Sequence, residues 1–307
     1  MDGVVNVHKP LGPTSHDIIY TMRRIFGQKK IGHAGTLDPM ATGVLVVCLG
    51  KGTRIVEYLM GAPKEYRAKM ILGQSTDTED STGVVLRETD ASAVTKEAFE
   101  EATRAFIGEI DQIPPMVSAI KLDGKPLYKL AREGKSVERQ ARRVTVQSID
   151  VLDFVPGVCA EAEIMVRCSS GTYIRTLCSD IGDRLGCGAN MSMLQRTRVG
   201  RFSIEDAATP EQLEQARIDG RLEDFVMSIN DALCDMPYAE ISESASLDAL
   251  HGLVIPIDGD WPDGDTIRML APDGRLVGLG IVAEKEGLRV AKPKKILDNP
   301  DCGAGRS

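Results

Sequence analysis

Two hydrophobic periods alternate along the chain. Gly3–His8 reads as a strand. Thr14-Ser15-His16-Asp17 is a capping-box pattern, and apolar residues at 18, 19, 22, 25 and 26 follow at helical spacing up to Gly27. The run Val44–Leu49 is short and β-branched, which predicts a buried strand, and a short helix is expected near Thr53–Met60. Tyr66–Leu72 alternates, so Tyr66, Ala68, Met70 and Leu72 share one face of a strand. Residues 74–83 form a polar loop. Thr95–Ile107 predicts an amphipathic helix closed by Gly108. Ala160–Cys168 alternates with its even positions apolar. Gly171-Thr172 can open a helix with apolar 174, 177, 178, 181 and 185, ending at Gly186. Cys187–Gly200 reads as an irregular return segment, and Gly200–Asp235 as acidic helix packed on the domain before it. From about residue 237 the character changes. Asp265–Leu270, the turn Pro272-Asp273-Gly274 and Arg275–Ala283 predict a hairpin, with one more strand at Leu288–Ala291. No internal repeat is visible.

Between the first helix and the Val44–Leu49 strand lies an unusual loop, Gly32-His33-Ala34-Gly35-Thr36-Leu37-Asp38-Pro39-Met40-Ala41-Thr42-Gly43. Its glycines permit tight turns and close backbone approach. Pro39 pushes Asp38 toward extended geometry. Asp38 is its one carboxylate, with no Lys or Arg between Lys30 and Lys51. Two readings fit: an acid held for nucleophilic or base chemistry, or a turn in which Asp38 caps a nearby backbone N–H.

Composition narrows the class. A 307-residue chain that is 42% hydrophobic can bury one large or two modest cores. No apolar run approaches a membrane span, and Met1-Asp2-Gly3-Val4 lacks the basic start of a signal peptide. The seven cysteines include no CxxC pair and the four histidines are scattered. Reduced thiols, no metal and a cytoplasmic location are therefore expected. The net charge of -8 argues against a nucleic-acid partner, but its distribution reverses that. Residues 120–145 hold eight Lys/Arg against three acids, whereas 205–250 hold twelve acids and two arginines. A basic stretch on an acidic protein can still engage phosphates, or be no more than a solvated surface.

The glycine loop resembles the signature of the TruB family of tRNA pseudouridine synthases. Further motifs follow in family order over about residues 3–200: Lys9-Pro10 with Gly12 and Ser15, Lys64-Glu65-Tyr66-Arg67, Gly73-Gln74-Ser75-Thr76-Asp77-Thr78-Glu79-Asp80, Ile113-Pro114-Pro115-Met116-Val117-Ser118-Ala119, and Cys168-Ser169-Ser170-Gly171-Thr172-Tyr173-Ile174-Arg175. Ser170 departs from the pattern, since bacterial members often carry lysine there. The resemblance implies an α+β fold with a catalytic domain over 1–236, built on a mixed, largely antiparallel sheet flanked by helices. It also implies a PUA-like β-barrel over 237–307 and a basic RNA-gripping insertion at about 121–143.

What it implies for the site is specific. Asp38 would be the catalytic carboxylate, Tyr66 the active-site tyrosine and Arg175 the cation that keeps Asp38 ionised. His33, Tyr173, Leu194 and Lys9 would bind substrate with Tyr66, and Lys125, Lys129 and Arg132 would contact RNA. Leu194 is equally readable as ordinary core. Tyr173 and Arg175 can serve one site only if the backbone is extended there, so both are placed at the exit of the strand ending at Cys168. The implied reaction converts the T-loop uridine at tRNA position 55 to pseudouridine after base flipping, with no cofactor. The expected partner is the tRNA T-arm, with no membrane and no obligate protein partner, and the expected state is a monomer. The chain shows no Lys-rich extension, which favours a stand-alone enzyme over a subunit of a guide-RNA particle. A non-catalytic RNA-folding protein is the third reading.

Overall fold

The computed structural model describes residues 1–118, 121, 122, 124–127, 130 and 137–298. Its main body is a nine-stranded sheet. Strands β1 (Gly3–Lys9), β2 (Ile31–His33) and β3 (Ala41–Leu49) form one end, with both neighbours antiparallel to β3. β4 (Lys64–Leu72) lies near the middle, and after it the small hairpin of β5 (Gln74–Thr76) and β6 (Val85–Glu88) stands apart. β7 (Gly108–Gln112) closes the far edge. β8 (Lys121–Leu122) and β9 (Lys125–Pro126) pair only with each other. β10 (Arg142–Val155), β11 (Glu161–Cys168), β12 (Ala189–Val199) and the short β13 (Phe202–Ser203) complete the sheet, in the order β1-β3-β12-β4-β11-β10-β7. Within it β12 runs parallel to β3 and the other pairings are antiparallel.

Period-two alternation sends β3 to two cores at once. Leu45, Val47 and Leu49 pack with Val5 and Val7 against helix α1 (Ser15–Phe26), through Ile18, Ile19, Met22 and Ile25. Val44, Val46 and Cys48 face the other way, toward Ile55 and Leu59. A strand buried on both faces reads as a continuous apolar run, as Val44–Leu49 does. Leu45, Leu49 and Ile55 are wholly buried, and truncating any of them to Ala should cost about 2–5 kcal/mol. Helix α1 carries the expected capping box between Thr14 and Asp17, and ends at Gly27 in the left-handed region. Ile55 closes a 3-10 turn that leads into α2 (Val56–Met60). On β4, Tyr66, Ala68, Met70 and Leu72 face a third core. They meet Phe99 and Ala102 of α3 (Lys96–Arg104) and Leu177, Cys178 and Ile181 of α4 (Ile174–Arg184). The opposite face of β4 is polar: Arg67 pairs with Glu163 of β11, which is buried although the alternation placed it outside.

β12 is the main departure from expectation. The segment read as an irregular return is a long strand between β3 and β4. It hides because wholly buried polar residues, Asn190 and Arg196, interrupt its hydrophobic pattern. Their donors are taken up by carbonyls far away in sequence, although Asn190 Oδ1 is buried without a partner among the described residues. Asn190 Nδ2 donates to the Gln74 carbonyl at 3.0 Å, and the Arg196 bonds are given below.

The acidic stretch forms α5 (Pro210–Ile218) and α6 (Ile229–Ala232), and Leu213 and Ala216 join the core beneath α1. The last part of the chain builds a curled five-stranded sheet with a PUA-like form. It consists of β14 (Tyr238–Glu240), β15 (Ile255–Pro256), β16 (Thr266–Leu270), β17 (Leu276–Lys285) and β18 (Leu288–Ile296), in the order β14-β16-β17-β18-β15. The hairpin and last strand were expected. The helix α7 (Glu243–Leu250) on this sheet was not. Leu279 and Leu297 join the core of Ile55 and Leu59, and Lys295 Nζ donates to the Arg54 carbonyl at 2.6 Å. No described helix is long and apolar enough to cross a membrane.

Candidate active site

The Asp38 loop runs from β2 to β3, and side chains bind the carbonyls of Gly35, Thr36, Leu37 and Pro39 along it. Arg196 donates Nη2 to Gly35 O at 3.0 Å, Nη1 to Thr36 O at 3.4 Å and Nε to Val44 O at 2.7 Å. Ser15, at the start of α1, brackets Leu37: its hydroxyl donates to Leu37 O at 3.0 Å and accepts from Leu37 N–H at 2.8 Å. Lys9 donates Nζ to Ala41 O at 2.6 Å and Pro39 O at 3.3 Å. Buried backbone carbonyls need donors, and here cations supply most of them. Gly43 makes the close approach to β12 feasible. Its φ is +102°, and a Cβ there would sit 2.2 Å from the Arg196 carbonyl oxygen.

Asp38 projects from this fixed loop. Arg175 Nη2 lies 3.0 Å from Asp38 Oδ2; the arginine side chain is 4% exposed and the aspartate 41%. No described backbone N–H is capped by the Asp38 carboxylate, so its partner is the guanidinium. Arg175 also donates to the Val117 carbonyl at 2.7 Å and the Thr78 carbonyl at 3.2 Å, and stands 3.7 Å from Asp80. Asp80 is occupied within its own loop, accepting from the Thr78 and Thr82 hydroxyls and the Thr82 N–H. Arg175 is thus oriented from behind, leaving Asp38 as the carboxylate that faces open space.

That space is a cavity of about 440 Å³, lined by Asp38, Lys64, Tyr66, Tyr173, Arg175, Leu194 and Arg196, with Ser118 and the Ser170–Thr172 turn among the rest of its wall. It lies within the usual range for a small-ligand site. One acid and three cations share the wall. Burial pushes the Lys64 ammonium down to about 8, helped by the neighbouring Arg196, although Lys64 donates to the Met60 and Ala62 carbonyls at 2.9 and 2.8 Å. Burial raises the Tyr66 phenol, with Arg196 opposing, and raises Tyr173 as well. Both phenols therefore stay protonated at neutral pH.

The expected residues fall into three groups. Asp38, Tyr66, Tyr173, Arg175 and Leu194 line the cavity together. Lys9 does not: it is wholly buried behind the loop, where desolvation pushes it down to about 8 against the pull of Asp38. Its amine holds the loop backbone and does not reach the cavity wall. His33 sits on β2 at the loop's entrance and is not part of the wall, with burial lowering its imidazole. Lys125 lies in the β8–β9 ladder, and Lys129 and Arg132 fall outside the described residues. One local expectation is corrected. Tyr173 is extended (φ −96°, ψ 107°) as the N-cap of α4, but Arg175 is already helical. A cap residue leaves the helix direction, so it and a first-turn residue can meet in one cavity without sharing an extended strand.

Arg196 and Lys64 were missed as site residues. Their signal was positional. Arg196 is two residues from Leu194, and Lys64 two from Tyr66, so on a strand each pair shares a face. Without β12 recognised as a strand, the first relation was invisible.

Residues 23–174 match the TruB family pseudouridylate synthase N-terminal domain, and residues 175–234 match the tRNA pseudouridylate synthase B C-terminal domain. The chain is 44% identical to tRNA pseudouridine synthase B of Pelotomaculum thermopropionicum, across 100% of this chain and 99% of that protein. It is 48% identical to the protein of the same name from Symbiobacterium thermophilum, across 82% of this chain and 83% of that one. Among solved structures, the archaeal box H/ACA sRNP Nop10–Cbf5 complex contains a chain matched at a TM-score of 0.75 and 28% identity, covering 97% of this chain and 87% of that one. Sequence and fold agree: the chain belongs to the TruB family of pseudouridylate synthases.

Proposed function

We propose that the protein isomerises the T-loop uridine at tRNA position 55 to pseudouridine, acting alone. The observation that carries this reading is the Asp38–Arg175 pair at 3.0 Å, on the wall of a cationic cavity. The reaction breaks the bond from uracil N1 to ribose C1′, turns the base and joins C5 to C1′. The C5 proton leaves and N1 gains one, so nothing is oxidised or reduced. Asp38 serves either as nucleophile toward the ribose or as the base that removes a ribose proton, and both routes need the carboxylate ionised. Arg175 supplies the opposing charge and a fixed orientation. The target base must leave its stack to reach this depth. Tyr66, protonated and on the cavity wall, presents a ring for the base, and Tyr173 and Leu194 complete the apolar part of the slot. Lys64 places positive charge on the wall where a phosphate or a uracil carbonyl can meet it, while Arg196 keeps its donors on the loop carbonyls.

The same reading assigns residues 1–236 to the catalytic domain and 237–307 to a PUA-like domain. It gives the basic 121–143 stretch, with Lys125, Lys129 and Arg132, the role of gripping the T-arm. The test is a purified protein and an unmodified tRNA transcript, with nothing else added. Pseudouridine at the T-loop uridine supports the whole reading. Product only after a guide RNA or protein is added assigns the chain to a particle, and tight binding without product makes it an RNA-folding protein.

A further inference from the structure

Helix α1 carries a line of side chains that the chemistry above does not use. His16, Tyr20 and Arg23 are spaced four and three apart, so they form one stripe beside the face of buried Ile18, Ile19, Met22 and Ile25, with His16 and Tyr20 exposed and Arg23 half-buried at its border. The stripe begins at the catalytic loop, because Ser15 beside His16 is hydrogen-bonded to Leu37. The His16 ring meets the His33 ring edge-on at 6.2 Å, and lies 6.4 Å from the Tyr20 ring. Tyr20 is 62% exposed, and the Arg23 guanidinium carbon lies 5.4 Å from its ring centre. His33, His16, Tyr20 and Arg23 thus form a continuous path from the entrance of the catalytic loop across the surface.

The charges along this path are unbalanced. Arg23 has no carboxylate partner among the described residues, and its one hydrogen bond is a long one to the Ile31 carbonyl at 3.5 Å. Lys29 and Lys30 follow it in sequence. Arg24 faces Glu214 of α5, and Asp17 is held by the Thr14 cap, so neither neutralises Arg23. Exposed rings with adjacent cations are what single-stranded RNA uses: bases stack on the rings and phosphates meet the cations. A flipped uridine leaves unpaired neighbours outside its pocket, and the path starts at the loop that carries Asp38.

We propose that His16, Tyr20 and Arg23 form a second RNA-contact surface, on which an unpaired nucleotide next to the target uridine stacks while Arg23 holds its phosphate. This rests on tRNA being the substrate. The test uses the full chain and one tRNA transcript, with equilibrium binding measured across a salt series. Tyr20→Ala should weaken binding about fivefold or more, while Tyr20→Phe and Tyr20→Trp retain it. Arg23→Ala should reduce the log–log salt slope by about one. An abasic nucleotide beside the target uridine, scanned on either side, should weaken wild-type binding but add nothing to Tyr20→Ala. Wild-type affinity and slope in Tyr20→Ala and Arg23→Ala, with the unaltered protein binding and converting the same transcript, would refute this surface alone. If the unaltered protein does not bind tRNA, the functional reading fails and this surface falls with it.

Discussion

At the scale of single residues, the site separates charge that is spent from charge that is available. Lys9 and Arg196 place their donors on loop carbonyls, and Asp80 is saturated by threonines. Asp38, the one acid among the described residues of the cavity wall, remains open, against Arg175. The aspartate, the tyrosines and the arginine were legible through the resemblance of the motifs that hold them, since the pattern alone left Asp38 open to a capping role. Lys64 and Arg196 were not, since a cation in a sequence reads as surface and only packing shows it buried. Two predictions belong here. The raised phenol of Tyr66 makes it a poor base at neutral pH, so its ring should matter more than its hydroxyl. Tyr66→Phe should keep most of the single-turnover rate, whereas Tyr66→Ala should lose binding and rate by about 1–3 kcal/mol of stacking. Equal loss in both variants would move the role to the hydroxyl. Lys64, held down to about 8 by burial, is partly neutral near that pH in the free protein. A phosphate beside it favours the charged form, so binding should take up as much as about half a proton near pH 8, and more just above it. Affinity should then fall as pH rises past 8. Calorimetry in buffers of different ionisation enthalpy measures the uptake, and Lys64→Met should abolish it. Equal uptake in both proteins would remove Lys64 from the phosphate contact.

At the scale of elements, the catalytic loop is a product of β12. This strand lies parallel to β3 and antiparallel to β4, so it brings Leu194 level with Ala41 on one side and Ala68 on the other. Through Arg196 it ties the loop carbonyls to the sheet. Strands with clean alternation, β4 and β11, could be read directly from the sequence, as could α1 from its capping box. β12 could not, because its buried asparagine and arginine mimic a loop, and the partners that satisfy them are distant in sequence. Gly43 marks the dependence of loop on strand. Gly43→Ala forces a Cβ into the Arg196 backbone and strains a positive φ, so it should destabilise the fold by about 2 kcal/mol or more. Denaturant unfolding would show this as a lower midpoint at unchanged slope. Wild-type stability would mean that the two strands separate there at little cost.

At the scale of the whole molecule, two sheets of different character meet: the curled sheet packs its own core, around Ile267 and Met269, and joins the main body at one seam. The nine-stranded sheet carries the site near its centre, and Leu279 and Leu297 of the curled sheet pack beside Ile55 and Leu59 of the first. The change of character near residue 237 was visible in the sequence, but this shared packing was not, since periodicity says which face is buried and not against what. The net charge of -8 was a poor guide to the partner, because the acids gather in residues 205–250 and the cavity wall is cationic. The claim on which all else depends is that the Asp38 carboxylate performs the chemistry while the surrounding architecture binds RNA. The direct measurement compares Asp38→Asn with the unaltered protein on one unmodified tRNA transcript, following both binding and pseudouridine formation. Amide replaces carboxylate at equal size, so the variant should fold, bind tRNA within a few-fold of the unaltered protein and form no pseudouridine. Pseudouridine formed by Asp38→Asn near the unaltered rate would contradict the assignment.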